Sequence, residues 1–289
     1  MRQSLRFPFF LVIFGIFTPN VFALKEGPPP EKPRLVFVGH ATVLIEGTET
    51  TLLTDPFFKP KMLWLKRRVP AAFSPAEIPL LDAVLISHTH PDHFDTDALE
   101  KLSPRPVIIM PWGRGKSLRS KGFQVLSLRP GERWTHKNTT VTAVRARHNA
   151  WHNLGFIIEM DGKKIYFTGD TKLFDELKTF SDKAIDFMLM PYAGTPVIGN
   201  IWTLEDAARA VDWVKPKICI PIHMETFGHW VTGRPSTPPE IFRDLLASQK
   251  SKTPCHILRP GDRFPLEYTD PSSIHEQNEL EGMENRRVP

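Results

Sequence analysis

From Arg34 onwards, short apolar runs alternate with segments of helical period, and the pattern continues to about Leu266. The runs predict strands at Arg34 to Val38, Thr42 to Glu46, Thr51 to Thr54, Ala83 to Ser87, Val107 to Met110, Gln124 to Leu128, Thr140 to Arg145, Leu154 to Met160, Lys164 to Thr168, Phe187 to Met190, Ile218 to Ile222 and Cys255 to Leu258. Asp161-Gly162 marks a hairpin turn between two of them. Helices are expected at Thr96 to Leu102, Lys116 to Lys121, Phe174 to Phe180, Thr203 to Val214 and Pro239 to Ser248, with Thr203 as an N-cap followed by Glu205 and Asp206 in the first turn. One domain over 34–267 fits this alternation, and no internal repeat interrupts it. Residues 268–289 are polar and unpatterned, which predicts a disordered tail.

The N-terminus follows a different pattern. Arg2 and Arg6 precede an apolar block from Phe7 to Phe17, and Val21-Phe22-Ala23 places small residues where signal peptidases cut. Residues 1–23 therefore read as an export signal cleaved before Leu24, with a Pro-rich spacer over 24–33. An uncleaved anchor is the alternative, but Pro8 and Pro19 interrupt the block, which is shorter than the roughly 20 apolar residues that span a bilayer. A periplasmic or secreted location follows. Removing the signal takes away two arginines and no acids, so the net charge of +5 falls to +3. That mild excess does not mark a nucleic-acid binder. At 289 residues with 41% hydrophobic content, the chain can bury a sizeable core. Cys219 and Cys255 lie in apolar runs, where a disulfide and buried free thiols are equally compatible with the sequence.

Chemistry concentrates in His88-Thr89-His90-Pro91-Asp92-His93, directly after an apolar run. Residues two apart in extended chain point the same way, so His88 and His90 can converge on one ion. Pro91 stiffens the turn that presents Asp92 and His93 to a second. Neutral imidazoles with a carboxylate are the ligands that zinc and its neighbours prefer. Further candidates sit at predicted strand ends: His148, Asp170 and His223. His152 competes with His148, which is preferred because it follows its strand more directly.

In order and spacing, Asp55, the HxHxDH stretch from His88 to His93, His148, Asp170 and His223 resemble the metallo-β-lactamase superfamily. The resemblance implies an α+β fold, a four-layer αββα sandwich, over nearly all of 34–264. It further implies that His88, His90 and His148 hold one metal, that Asp92, His93 and His223 hold another, and that Asp170 bridges them. Asp55 is then a supporting residue. An aspartate at 170 disfavours β-lactam hydrolysis and points to the branches that cleave phosphodiesters, lactones and thioesters. Val38-Gly39-His40-Ala41-Thr42, Leu53-Thr54-Asp55-Pro56, Lys66-Arg67-Arg68-Val69-Pro70 and Met224-Glu225-Thr226-Phe227 are similar to the N-acyl-phosphatidylethanolamine-hydrolysing phospholipase D and ascorbate-6-phosphate lactonase-like groups. Pro191-Tyr192-Ala193-Gly194 departs from their usual Pro-Ile-Gly.

Two divalent cations sharing a water lower its pKa and polarise the bond under attack, so neither serine nor cysteine is required. The ions are expected to be Zn2+, with Mn2+ and Fe2+ as alternatives. Against Asp92, Asp170 and a hydroxide they leave a slightly positive pocket, suited to an anionic transition state. The expected reaction is hydrolysis of a phosphodiester, such as a phospholipid; a lactonase or other ester hydrolase is the alternative, and a metal-binding protein without turnover is the reading from another class. Asp92 and His40 are the candidate catalytic residues, His40 as a proton donor or ligand-orienting side chain. Trp151, His152, Tyr192 and His229 are candidates to line the opening. The aromatic and basic stretch 57–68 could rest on an anionic lipid surface, or fold onto the domain.

Overall fold

The computed structural model describes residues 32–62, 65–192, 202–223, 226–227 and 237–268. The export segment, most of the spacer, nearly all of the tail and His229 lie outside them. Strands β1 (Arg34–Gly39), β2 (Thr42–Glu46) and β3 (Thr51–Thr54) form an antiparallel meander. A separate hairpin of β4 (Lys61–Met62) and β5 (Leu65–Lys66) follows. Strands β6 (Ala83–Leu85), β7 (Val107–Pro111) and β8 (Val125–Leu128) then add to β3 in parallel. The second sheet opens with the antiparallel strands β9 (Arg133–His136), β10 (Thr139–Arg145), β11 (Leu154–Met160) and β12 (Lys163–Phe167). It continues in parallel through β13 (Phe187–Met190) and β14 (Ile218–Pro221), while β15 (Arg263–Pro265) returns to the first sheet beside β1.

Side-chain alternation sets the layers. Leu35, Phe37, Val43, Ile45, Leu52, Leu85 and Ile109 point from the first sheet into the large core shared with the second. Their neighbours Val36, Val38, Leu44, Leu53, Val84 and Ile108 point the other way, into a smaller core with Leu99 of helix α1 (Thr96–Lys101) and Leu118 of helix α2 (Lys116–Ser120). A sheet whose both faces are apolar must be covered twice. Each fully buried aliphatic side chain is worth about 1.5–3 kcal/mol, which makes the two-sided burial the main anchor of this sheet. Helices α3 (Leu204–Val214) and α4 (Pro239–Ser248) cover the outer face of the second sheet through Val211, Val214, Phe242 and Leu246. The layers are thus helix, sheet, sheet, helix. No helix among the described residues is long and apolar enough to cross a membrane.

Two expectations are corrected. Cys255 to Leu258 is no strand: it makes a single bridge, with Cys219. Pro254 accepts from the Cys219 amide but has no N–H to extend a ladder, and the chain soon turns through 259–262 to meet Phe37. The segment expected as an α-helix at Phe174 to Phe180 is a 3-10 helix over Asp175–Lys183. Phe174, Leu177 and Phe180 are buried at spacings of three, which matches a three-residue turn better than an α-helical one.

Candidate metal centre

Strands β1, β3 and β6 run in one direction within the first sheet, as do β10, β12 and β14 in the second. Their C-terminal ends gather at one edge of the sandwich, the position where open mixed sheets leave a crevice. Every candidate ligand follows one of these ends. His40 follows β1, Asp55 follows β3, and His88 to His93 follow β6. His148 follows β10, Asp170 follows β12 and His223 follows β14.

Backbone constraints make the convergence firm. The Leu154 amide donates to the Ser87 carbonyl at 3.0 Å, joining the two sheets next to His88. The His223 amide donates to the His40 carbonyl at 2.8 Å. After Pro91 the amides of His93 and Phe94 both donate to the His90 carbonyl at 3.0 Å, so the turn returns His93 to the pocket. Asp95 then caps α1 by accepting from Asp97 and Ala98. Three of the gathered residues, His40 (φ 60°), Asp55 (φ 28°) and His223 (φ 64°), adopt a left-handed backbone that costs non-glycine residues energy.

Two groups of donors result. In the first, His88 Nε2 lies 3.0 Å and His148 Nε2 lies 3.1 Å from His90 Nδ1. In the second, His93 Nε2 and His223 Nε2 are 3.2 Å apart, with Asp92 Oδ2 at 3.8 Å and 3.6 Å from them. Asp170 stands between the groups: its Oδ2 is 3.4 Å from His93, 3.7 Å from His148 and 3.7 Å from His223. His40 joins the second group, its Nε2 lying 3.3 Å from Asp92 Oδ2. Six of the seven expected ligands thus fall in sets that could hold a metal ion, His88 with His90 and His148, and Asp92 with His93, His223 and His40. Asp55 forms a third set with His88 and His93, and Asp170 reaches histidines of the first two.

The rear nitrogens of His93 and His88 are held as a ligating histidine requires. Asp55, wholly buried, accepts from the Ser87 amide at 2.6 Å and from the Ser87 hydroxyl, and its Oδ2 lies 2.7 Å from His93 Nδ1. Ser87 Oγ lies 2.9 Å from His88 Nδ1. Burial, helped by the nearby His93, holds His88 well below the usual imidazole pKa, and burial likewise lowers His90. Burial opposes ionisation of Asp92, yet His93 and the bonds from His223 and His40 hold it well below the usual carboxylate range. Asp170 is held down in the same way by His223 and His93. These are the protonation states in which imidazole and carboxylate bind metal. His93 is the exception. Burial disfavours its charge, but Asp170, Asp92 and Asp55 outweigh that and raise its pKa well above normal. Its proton neutralises carboxylates that a metal cation would neutralise instead, so the donor set fits a metal.

The family model for the beta-lactamase superfamily domain matches residues 50–224. The chain belongs to the metallo-β-lactamase superfamily of metal-dependent hydrolases. It is similar to a UPF0173 metal-dependent hydrolase of Symbiobacterium thermophilum, with 32% identity over 241 residues that cover 80% of this chain and 98% of the relative. A UPF0173 metal-dependent hydrolase of Pyrococcus abyssi is 29% identical over 249 residues, covering 81% and 99%. Among solved structures, Igni18, a metallo hydrolase from Ignicoccus hospitalis, superposes with a TM-score of 0.67 at 23% identity, over 82% of this chain and all (100%) of its own. The αββα layering is the fold these matches share.

The remaining candidates of this hydrolase divide. His148 joins the first donor group and His152 does not: its ring packs 4.2 Å from that of Trp112. Trp151 is 76% exposed on the same loop. Tyr192 corrects the expectation that it lines the opening. It is buried, stacks on Phe242 at 5.4 Å and donates its hydroxyl to the Thr237 carbonyl, so it belongs to the core. The stretch 57–68 is described except for residues 63 and 64. Phe57 and Arg67 are buried, and Lys59 pairs with Asp95 and Asp97. Lys61 and Lys66 of the β4–β5 hairpin are exposed, as is Arg68 after it.

Ser87 and Gly169 had no visible role in the sequence. Gly169 has φ +57°, and a Cβ there would stand 2.7 Å from the Ser87 Cβ and 2.9 Å from the Leu154 carbonyl oxygen. A side chain at 169 would push the Asp170 loop away from the histidines, which is why glycine is required. The Thr-Gly-Asp sequence after a strand was the only available signal.

Proposed function

We propose that the chain is a binuclear metal hydrolase whose two donor groups each hold a divalent cation, with Asp170 contacting both. The supporting observation is the position of Asp170 Oδ2, within 3.4–3.7 Å of histidines from both groups. Zn2+ suits five imidazoles and two carboxylates, with Mn2+ and Fe2+ as alternatives. Such a pair supplies hydroxide from water near neutral pH and polarises the bond to be cleaved. The chain's own residues do the rest. Asp92 and Asp170 remain ionised and fix the net charge, while Asp55 and Ser87 aim His93 and His88. His40, neutral because burial and then His223 lower its pKa to about 3, orients Asp92 through Nε2.

The substrate class proposed is a phosphodiester, including a phospholipid, since a slightly positive pocket favours an anionic ester; a lactone or other ester is the second reading. The N-terminal pattern supports export to the periplasm or medium, and the Lys61 and Lys66 edge supports contact with anionic lipid. Metal analysis of the purified protein, coupled to a panel of phosphodiester, phospholipid, lactone, thioester and β-lactam, tests the proposal. Two metal equivalents and phosphodiester turnover that disappear together in Asp170→Ala are expected. Full turnover by metal-free protein would refute it.

A further inference from the structure

Trp151 is 76% exposed, the only large apolar ring left so open among the described residues. Aromatic side chains carry the largest apolar payload where they are buried, and an indole left in water contributes little to folding. The loop nevertheless holds it outward. His152 takes a left-handed backbone (φ 58°) and lays its ring 4.2 Å from that of Trp112, while Arg114 Nη2 lies 3.5 Å from the Trp151 carbonyl oxygen. Trp112 is engaged in turn by the Arg129 guanidinium, 5.7 Å from its ring centre. His152 and Trp112 therefore anchor the loop. The Trp151 ring is left over from that packing, with His152 as its ring contact at 6.3 Å. A strained backbone that keeps an apolar ring in solvent points to a use outside the fold.

The place of this loop narrows that use. His148, on the same loop, stands in the first donor group, and Trp112 and Arg129 follow the C-terminal ends of β7 and β8, which run parallel to β6. All of them lie at the edge that carries the metal centre. Residues 101–158 hold 11 Lys and Arg against one acid, Glu132, whereas the whole chain has a net charge of only +5. Some of that excess is neutralised: Lys121 pairs with Glu100, Arg145 with Glu176, and Lys137 with Asp82 at the far end. Arg114 and Arg129 pair with no carboxylate among the described residues, and Glu132 instead accepts from the Arg129 amide at 2.7 Å. The result is a projecting indole flanked by two guanidinium groups without acidic partners. A projecting ring cannot enclose a small molecule. A nucleic-acid strand needs several open rings on which successive bases stack, and here Trp112 is already engaged by His152 and Arg129. An indole at headgroup depth with arginines on the phosphates is the arrangement that suits a lipid surface.

We propose that the Trp151 loop, with Arg114 and Arg129 beside it, is a docking surface for an anionic lipid bilayer, which brings the metal-bearing edge of the sandwich against the headgroups. The proposal rests on the phosphodiester reading above and names the surface that presents the ester. Trp151 supplies the apolar contact and the two arginines the charge complementarity. This surface is separate in sequence from the β4–β5 hairpin with Lys61 and Lys66, so the two contacts can be removed one at a time.

Co-sedimentation of the full-length, metal-loaded protein with vesicles tests it, with phosphatidylglycerol mixed into phosphatidylcholine against phosphatidylcholine alone. Wild type and variants share one N-terminus, so differences between them report on this surface. Wild type is expected to prefer the anionic vesicles, and to lose that preference as salt is raised. Trp151→Ala should weaken binding to them by about tenfold, and Trp151→Phe should keep most of it. Arg114→Gln and Arg129→Gln should each weaken it by about fivefold, with no change on phosphatidylcholine alone. Where Arg114→Gln disturbs the loop, Trp151→Ala decides. Variants at 151, 114 and 129 that bind like wild type overturn the proposal, as does a loss confined to Lys61→Gln with Lys66→Gln, which puts the contact on the hairpin. Wild type that ignores vesicles and binds a single-stranded oligonucleotide also overturns it. Metal content and turnover of a soluble phosphodiester, measured on wild type, separate the two failures. Vesicle binding without metal or turnover defeats the hydrolase reading alone, whereas full metal and turnover without vesicle binding defeat the docking surface alone.

Discussion

The two ends of the sandwich are built from the same kinds of side chain and solve opposite problems. At the end away from the cluster, Asp82 accepts from the Thr51 amide at 2.8 Å and from Lys137 at 2.9 Å, and lies 2.9 Å from His136 Nε2. Beside it Asp161 accepts from the Thr48 amide at 2.9 Å, from the Thr48 hydroxyl and from Asn138 at 2.7 Å. Every close contact there sets a donor against an acceptor, and the clasp joins the first sheet to the β9–β10 turn. At the other end, nitrogen faces nitrogen at 3.0, 3.1 and 3.2 Å. His88 Nε2 and His148 Nε2 both face the one His90 Nδ1, and a single ring N–H or lone pair cannot serve two partners fully. A clasp is complete in itself, whereas a cluster of mutually unsatisfied groups is complete only around a cation. Local inconsistency of this sort is where function shows in a fold.

Substitutions should separate the two ends, with the largest effect at the cluster. Asp170→Ala removes the carboxylate that both donor groups share, and is expected to reduce bound metal and turnover by more than the roughly 10–100-fold attached to supporting partners. Mass-spectrometric metal counting and a hydrolysis assay check it; unchanged stoichiometry would break the comparison. Asp55→Asn keeps the shape but weakens the hold on His93 Nδ1, and should lower metal affinity by about 10–100-fold in a chelator competition titration. Gly169→Ala forces a Cβ against Ser87 in a left-handed backbone, so a loss of about 1–3 kcal/mol is expected by denaturant titration, with weaker metal binding beside it.

The smallest effect on chemistry belongs to the far end. Asp82→Ala should cost about 1–3 kcal/mol of stability and leave metal content and turnover as they were. Its pH dependence has a definite sign. Burial opposes ionisation of Asp82, but the Thr51 amide, Lys137 and His136 outweigh it, so the folded pKa lies below the ordinary carboxylate value. A depressed carboxylate stabilises the fold above its unfolded pKa and loses that contribution as pH falls through the folded one. Melting curves taken from neutral pH into acid should therefore fall less steeply for Asp82→Ala than for wild type.

Most strands were legible because their apolar runs are buried on both faces, as in β1 to β3 and β11. Strand β9 was not: Arg133 and Thr135 face solvent at a sheet edge, leaving too little apolar signal. The short β15 is set by its pairing with β1 rather than by its own residues. Within the site, the spacing of His88, His90, Asp92 and His93 was readable because it lies in one segment. Ser87 and Gly169 were hidden because their roles come from contact between two sheets, and Tyr192 misled because proximity in sequence to a strand end does not fix which way a ring turns.

The hydrogen bond from Leu154 to Ser87 has a consequence for how freely two of the imidazoles can separate. It ties the chain before His88 to the chain just after the loop bearing His148, so the spacing of those two imidazoles is set by main chain rather than by pliable side chains. With the His223 amide tied in turn to the His40 carbonyl at 2.8 Å, neither group of nitrogens can spread without main chain moving with it.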